Sequence, residues 1–126
     1  MAKKAEDRKV YAVDFDGTLC KSEYPKIGAE NKRLIETLKE IRKGGDELIL
    51  WTCRHGKPLE EAVEWCKERG LEFDAVNENL ERFKKIFGET RKVFAHEYID
   101  DLSVTPSRFM LQMEVEKANE EKKESK

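Results

Sequence analysis

Val10-Tyr11-Ala12-Val13-Asp14-Phe15-Asp16-Gly17-Thr18 is the stretch on which the reading of this chain turns. Its first four side chains are β-branched, aromatic or small and carry no charge, which fits a short buried strand. The run stops at Asp14, and Gly17 allows the sharp turn that follows. A carboxylate at a strand tip, with a second one two residues on, can hold a metal ion and attack phosphorus. The N–H groups of a glycine turn can face a phosphate. The same letters also suit an ordinary capped turn, where Asp and Gly are common. The rest of the chain has to decide between the two.

Outward from this point, strand and helix patterns alternate. Leu34, Ile35, Leu38 and Ile41 recur at helical spacing within Asn31–Lys43, and Gly44-Gly45 closes that run as a left-handed cap would. Glu47–Trp51 reads as a buried strand. Pro58 suits the first turn of a helix whose inner stripe is Leu59, Ala62, Val63 and Cys66 and whose stop is Gly70. Phe73–Val76 is a third strand, and Leu80, Phe83, Ile86 and Phe87 mark a further helix. Glu97–Ile99 is a fourth strand that ends at Asp100-Asp101, and a last helix is expected around Phe109–Val115. Such alternation predicts an α/β domain with a mainly parallel sheet over residues 10–117. The first nine residues and the charged stretch Ala118–Lys126 have few or no large apolar side chains, so both are expected to be loose or disordered.

In parallel sheets, functional residues gather beyond the carboxyl ends of the strands. Here those ends carry Asp14 and Asp16, then Thr52 and Arg54, then Asp100 and Asp101. Phosphoryl transfer needs an in-line nucleophile, neutralised non-bridging oxygens and a protonated leaving group. Asp14 can supply the nucleophile, as carboxylates do in aspartyl-phosphate enzymes. Mg2+, which favours carboxylate and water oxygens, can be held by Asp14 and Asp100. Asp16 can protonate the leaving group and afterwards activate water. Adjacent like charges such as Asp100-Asp101 repel, and a bound cation relieves that repulsion, although a plain surface turn can also hold them. Thr52 can donate to a phosphoryl oxygen. Lys92 can set a positive charge across the site, with Lys84, Lys85 and Arg91 near enough in sequence to compete for that place.

Composition narrows the alternatives. Lys+Arg is 25 and Asp+Glu is 27, a formal net charge of -2, so the chain lacks the basic excess of a dedicated nucleic-acid binder. No apolar run approaches the length of a membrane span, and the N-terminal residues do not resemble a signal peptide. Cys20, Cys53 and Cys66 are an odd number without a CxxC pair, which fits reduced thiols in a cytoplasmic protein. His55 and His96 have no metal-ligand spacing.

With these residues in view, the sequence resembles the haloacid dehalogenase superfamily. Its first motif, DxDGT after a strand, corresponds to Asp14-Phe15-Asp16-Gly17-Thr18. Its second, a Thr or Ser ending the next strand, corresponds to Thr52. Its third, a Lys upstream of the last motif, corresponds best to Lys92, and its acidic pair corresponds to Asp100-Asp101. True dehalogenases of this superfamily lack the second Asp of the first motif and transport ATPases carry Thr there, so Asp16 implies a phosphatase-type member. The stretches Tyr24–Gly28, Leu48–Thr52 and Ala62–Cys66 are similar to a small capless subgroup of bacterial and phage hydrolases. Caps would be inserted between Asp14 and Thr52 or between Thr52 and Lys92, and predicted elements already fill both intervals.

The resemblance implies a three-layer Rossmann-like fold with no cap domain and a Mg2+-dependent phosphoric monoester hydrolase. Asp14, Asp16, Thr52 and Lys92 would be catalytic, Thr52, Arg54 and Lys92 would bind substrate, and Asp14, Asp16, Asp100 and Asp101 would hold the metal. Tyr24 falls where the superfamily carries a mobile flap. An open site suits a small phosphorylated metabolite or a phosphorylated polymer end, with nucleic acid entering only as substrate and no membrane partner. Closure by another subunit of a homo-oligomer stays open. The family's Arg and Gly-containing loop after the acidic pair is replaced here by Leu102-Ser103-Val104-Thr105-Pro106. Two rival classes share parts of this pattern. A receiver domain would place its acidic pair after the first strand, against the order here. A catalytically silent domain of the same fold, acting by binding or regulation, would keep the motifs without turnover.

Overall fold

The computed structural model describes residues 3–124. A 3-10 turn at Ala5–Asp7 leads into β1 (Val10–Val13). Then follow β2 (Cys20–Glu23), β3 (Lys26–Glu30), α1 (Lys32–Lys43), β4 (Glu47–Leu50), α2 (Gly56–Glu68), β5 (Ala75–Val76), α3 (Glu81–Phe87), β6 (Glu97–Ile99) and α4 (Pro106–Glu124). Four strands make one sheet in the order β5-β4-β1-β6, with every neighbouring pair parallel. The parallel sheet anticipated from the alternation is present, in a Rossmann-like α/β arrangement.

Period-two alternation divides the sheet's side chains between two cores. Val13, Leu48 and Leu50 point to one face, where they meet Ile35 and Leu38 of α1, Ala62 and Cys66 of α2, and the loop residues Phe15, Leu19 and Leu71. Val10, Ala12 and Ile49 point to the other, against Leu80, Val93 and Ala95, with Phe83 of α3 and Trp51 packed around them. Each fully buried Leu or Ile removes apolar surface worth about 2 kcal/mol from water. Burial on both faces explains why β1 and β4 read as continuous apolar runs.

Helix α1 starts at Asn31, whose side chain accepts the Leu34 N–H at 3.3 Å, a contact worth about 1 kcal/mol. The same side chain donates to the Thr18 carbonyl at 3.2 Å, so the helix start is fastened to the turn after β1. Asp74 accepts the Leu48 N–H at 2.9 Å and pairs with Arg42 at 3.1 Å, tying the end of α1 to the edge of β4.

Two segments depart from the sequence reading. Cys20–Glu23 and Lys26–Glu30, polar enough to read as a loop, pair as an antiparallel hairpin outside the main sheet. A Cβ at Gly28 would collide with the carbonyl of Lys21, so the two strands approach as closely as they do only with glycine there. The stretch expected to fray from Ala118 is instead the second half of α4, helical as far as Glu124. Its run of good helix formers sustains the helix, though no residue of α4 is buried. At the other end, Lys3 pairs with Asp46 at 2.9 Å and Asp46 accepts the Lys9 N–H at 3.0 Å, so the segment before β1 is tied down from Lys3 onward. The outermost residues of both expected loose ends, 1–2 and 125–126, lie outside the described residues. Among the described residues no helix is long and apolar enough to cross a membrane.

Candidate functional site

Register brings the site together. Val13 of β1 is level with Leu50 of β4 and with Ile99 of β6, so the residues that follow leave the sheet at one rim. Asp14 follows β1, Trp51-Thr52 follows β4 and Asp100-Asp101 follows β6. The Asp14 N–H donates to the Ile99 carbonyl at 3.0 Å and the Trp51 N–H to the Val13 carbonyl at 2.8 Å, which carries the alignment one step beyond the strands.

The loop after Asp14 is shaped by its own apolar residues. Phe15 and Leu19 are fully buried and act as anchors. The Phe15 carbonyl accepts the N–H groups of Thr18 and Leu19 at 3.2 and 2.9 Å, and Gly17 donates to the Cys20 carbonyl at 2.9 Å. Gly17 has φ 84°, and a Cβ there would overlap the Asp101 carboxylate. Only glycine therefore lets the acidic pair after β6 lie against the turn after β1.

Asp14, Asp100 and Asp101 each offer a carboxylate oxygen within 4.8 Å of the others. Such a set of hard oxygen donors can hold a divalent cation with water completing the shell. The Asp14 carboxyl is pushed up to about 6, chiefly by burial, with the charges of Asp100, Asp101 and Asp16 adding to the effect. The Phe15 N–H, 2.8 Å from Asp14 Oδ1, opposes that shift and orients the group. Asp100 Oδ1 accepts the Leu102 N–H at 2.9 Å.

Asp14, Asp100 and Lys92 line one cleft of about 490 Å³ together with Trp51, Tyr98 and Val104. Lys92 is thus the lysine that reaches this cleft, its Nζ 5.8 Å from the centre of the Tyr98 ring. Lys84 is engaged elsewhere, with Glu78 at 2.6 Å and Glu81 at 3.3 Å. Thr52 stands just past β4, where its hydroxyl accepts the Arg54 N–H at 3.2 Å.

Two side chains are placed away from the cleft that the expectation set them in. Arg54, expected to reach a substrate phosphate or carboxylate, is 2 % exposed. Its guanidinium faces inward, with Nε and Nη2 each donating to a different oxygen of Asp16 at 2.8 Å. Its remaining donors meet main-chain carbonyls, so none is left for a ligand. Asp16, expected among the metal ligands, has both carboxylate oxygens on that guanidinium and stands outside the Asp14, Asp100 and Asp101 cluster. An arginine next to a strand tip looks like a rim residue in sequence; the acceptors waiting beneath the rim are what turn it inward.

Asn77 and Asn79 were missed in the sequence. Asn77, at φ 53°, accepts the Thr52 N–H at 2.8 Å and donates to the Arg54 carbonyl at 3.3 Å, fixing the loop after β4. Asn79 is buried, accepts the Phe94 N–H at 2.6 Å and donates to the Thr90 hydroxyl at 3.1 Å, fixing the segment that carries Lys92. The signal was a pair of Asn residues two apart just beyond a strand, where side-chain to main-chain bonds are favoured. Burial pushes the Cys66 thiol up to about 12 and also raises that of Cys20, which keeps both protonated, while Cys53 is exposed and free.

A solved structure of a conserved protein from Bacteroides thetaiotaomicron matches this fold with a TM-score of 0.71. The two sequences are 38% identical over 89% of this chain and 93% of that one. At that identity and coverage the chain belongs to the same family as the Bacteroides protein. Comparison with protein-family models gives no match, nor does comparison with curated proteins.

Proposed function

We propose that the protein is a Mg2+-dependent phosphatase of the haloacid dehalogenase type, acting on a phosphoric monoester through an aspartyl-phosphate at Asp14. The observation that carries this reading is the convergence of Asp14, Asp100 and Asp101, oxygens within 4.8 Å, at the head of a cleft that Lys92 also lines. An acidic cluster alone would repel a phosphate; a cation between the carboxylates and the lysine opposite reverse that.

Mg2+, bound by Asp14 and Asp100 with Asp101 beside them, would neutralise charge on the non-bridging phosphoryl oxygens. Asp14 attacks phosphorus with a carboxylate oxygen, forming the new P–O bond as the bond to the leaving oxygen breaks. Asp16, turned away from one of its two bonds to Arg54 and carrying a proton, gives that proton to the leaving oxygen, so the product departs as an alcohol. Asp16 then takes a proton from water as the water oxygen attacks the phosphoryl group, and the Asp14–phosphorus bond breaks to free inorganic phosphate. Lys92 offsets charge on the phosphoryl oxygens across the cleft. Thr52, at the same rim, is the hydroxyl donor to the phosphoryl group.

Hydrolysis of 4-nitrophenyl phosphate tests the reading. Turnover should require Mg2+, stop with EDTA and be lost in Asp14→Asn. Binding of a magnesium–fluoride phosphoryl mimic without any turnover would point instead to a silent domain that binds and does not react.

A further inference from the structure

Arg54 is buried deeper than its place beside the rim leads one to expect, and all five of its guanidinium N–H groups have acceptors. Beyond the two bonds to Asp16, Nη2 donates to the Lys26 carbonyl at 2.9 Å, and Nη1 donates to the carbonyls of Pro25 and Pro58 at 3.2 Å each. The guanidinium carbon lies 4.9 Å from the centre of the Phe15 ring and 5.1 Å from that of Tyr24. One cation thus joins the turn after β1, the tip of the β2–β3 hairpin and the first turn of α2. A planar fork with fixed donor directions cannot serve these acceptors independently. Displacing the hairpin tip removes two carbonyls from the guanidinium and shifts the fork that holds Asp16. Lysine, with three rotatable donors on a point charge, cannot replace it.

We propose that Arg54 is a positioning residue that locks the Asp16 carboxylate to the tip of the β2–β3 hairpin, so that proton transfer at Asp16 depends on where the hairpin sits. The proton-transfer part rests on the phosphatase reading; the coupling of Asp16 to the hairpin rests on the geometry alone.

Two measurements on the full chain separate these parts. In hydrogen exchange, Arg54→Lys should speed exchange of the hairpin amides about tenfold through loss of charge-assisted bonds, while β1 and β4 stay protected. Asp16→Asn, which leaves Arg54 in place, should speed the same amides by a smaller factor. Unchanged hairpin protection in both variants overturns the coupling. If Arg54→Lys fails to fold, Asp16→Asn decides the matter by the same criterion.

In kinetics, Arg54→Lys should slow hydrolysis of an alkyl phosphate on the order of 10²-fold, the scale of general acid catalysis. Hydrolysis of 2,4-dinitrophenyl phosphate, whose leaving group needs no proton, should fall by only a few-fold on the same reasoning. Adding Arg54→Lys to Asp16→Asn should cost the alkyl ester little more than Asp16→Asn alone. Equal loss on both esters overturns the positioning role, because a general loosening of the site would not discriminate between leaving groups. If the wild type hydrolyses neither ester, the phosphatase reading falls and the proton-transfer role with it, while exchange still decides the coupling.

Discussion

Asp14 has a carboxyl raised to about 6 by burial and by its acidic neighbours, against 3.8 ordinarily, so the folded chain holds that proton more tightly than the unfolded one. The group's contribution to stability is therefore complete at low pH and is lost as pH rises through about 6. Solvent around the partly exposed Asp14 screens the effect to about 1 kcal/mol, or about 4 °C in melting temperature. In EDTA, the midpoint of wild type relative to Asp14→Asn should fall between pH 4 and pH 7, and Mg2+ should restore it at pH 7 more than at pH 5. A difference that stays flat with pH would remove the strain assigned to this carboxyl. Thr18 gives a second test at this scale. Its hydroxyl is buried and finds no hydrogen-bond partner among the described residues. Thr18→Val keeps the shape and removes the unpaired group, so thermal unfolding should show a midpoint unchanged or raised by about 1 kcal/mol equivalent. A marked destabilisation would mean that the hydroxyl is used. Lys92, between α3 and β6, was legible only through the resemblance, whereas Asp14 and Asp100 could be read from the sequence because strand-end position brings them to one rim. The direction of Arg54 could not, since its acceptors are the carbonyls of Pro25, Lys26 and Pro58, distant in sequence and interchangeable with any others.

At the scale of elements, the strands and helices with two-sided burial were legible and the hairpin was not. β1 and β4 announce themselves because both faces are covered, so nearly every side chain is apolar. β2 has one buried residue of four, Cys20, and β3 has none. A hairpin held by its own main-chain bonds, by Gly28 and by an arginine from beneath leaves little trace in hydrophobic pattern. The junction between this hairpin and α1 is a point of control. Asn31 caps the helix and also holds the Thr18 carbonyl, while its own N–H donates to Leu19 at 2.8 Å. Asn31→Ala should lose both side-chain contacts, costing about 1–2 kcal/mol in chemical denaturation. Asn31→Asp should retain the cap and lose only the bond to Thr18, and so fall between the two. Equal stability of Asn31→Ala and wild type would show that α1 is held by its apolar stripe alone.

Across the whole molecule, the chain divides into a body with two filled cores and a long terminal helix that belongs to neither. Every residue of α4 is exposed, including Phe109, Met110, Leu111, Met113 and Val115. Those five apolar side chains crowd into the first half of the helix, and the second half is almost wholly charged. The pattern lacks a single stripe, which is why the sequence reads as a short helix near Phe109–Val115 with a loose end beyond it. A helix without packing is sustained by propensity and by i,i+4 pairs, a few tenths of a kcal/mol each, and opens far more easily than the body. Truncation after Thr105 should therefore leave the body's cooperative unfolding intact, with the midpoint shifted by no more than about 0.5 kcal/mol equivalent. Far-UV circular dichroism should lose helix signal, while near-UV signal from Trp51 and Trp65, both anchored in the body, stays unchanged. On the phosphatase reading, hydrolysis of 4-nitrophenyl phosphate should be as fast as in the full chain, because Asp14, Asp16, Lys92 and Asp100 are all set by elements before Pro106. A truncated chain that unfolds at much lower temperature, or loses its near-UV signal, would show that α4 covers apolar surface of the body in solution.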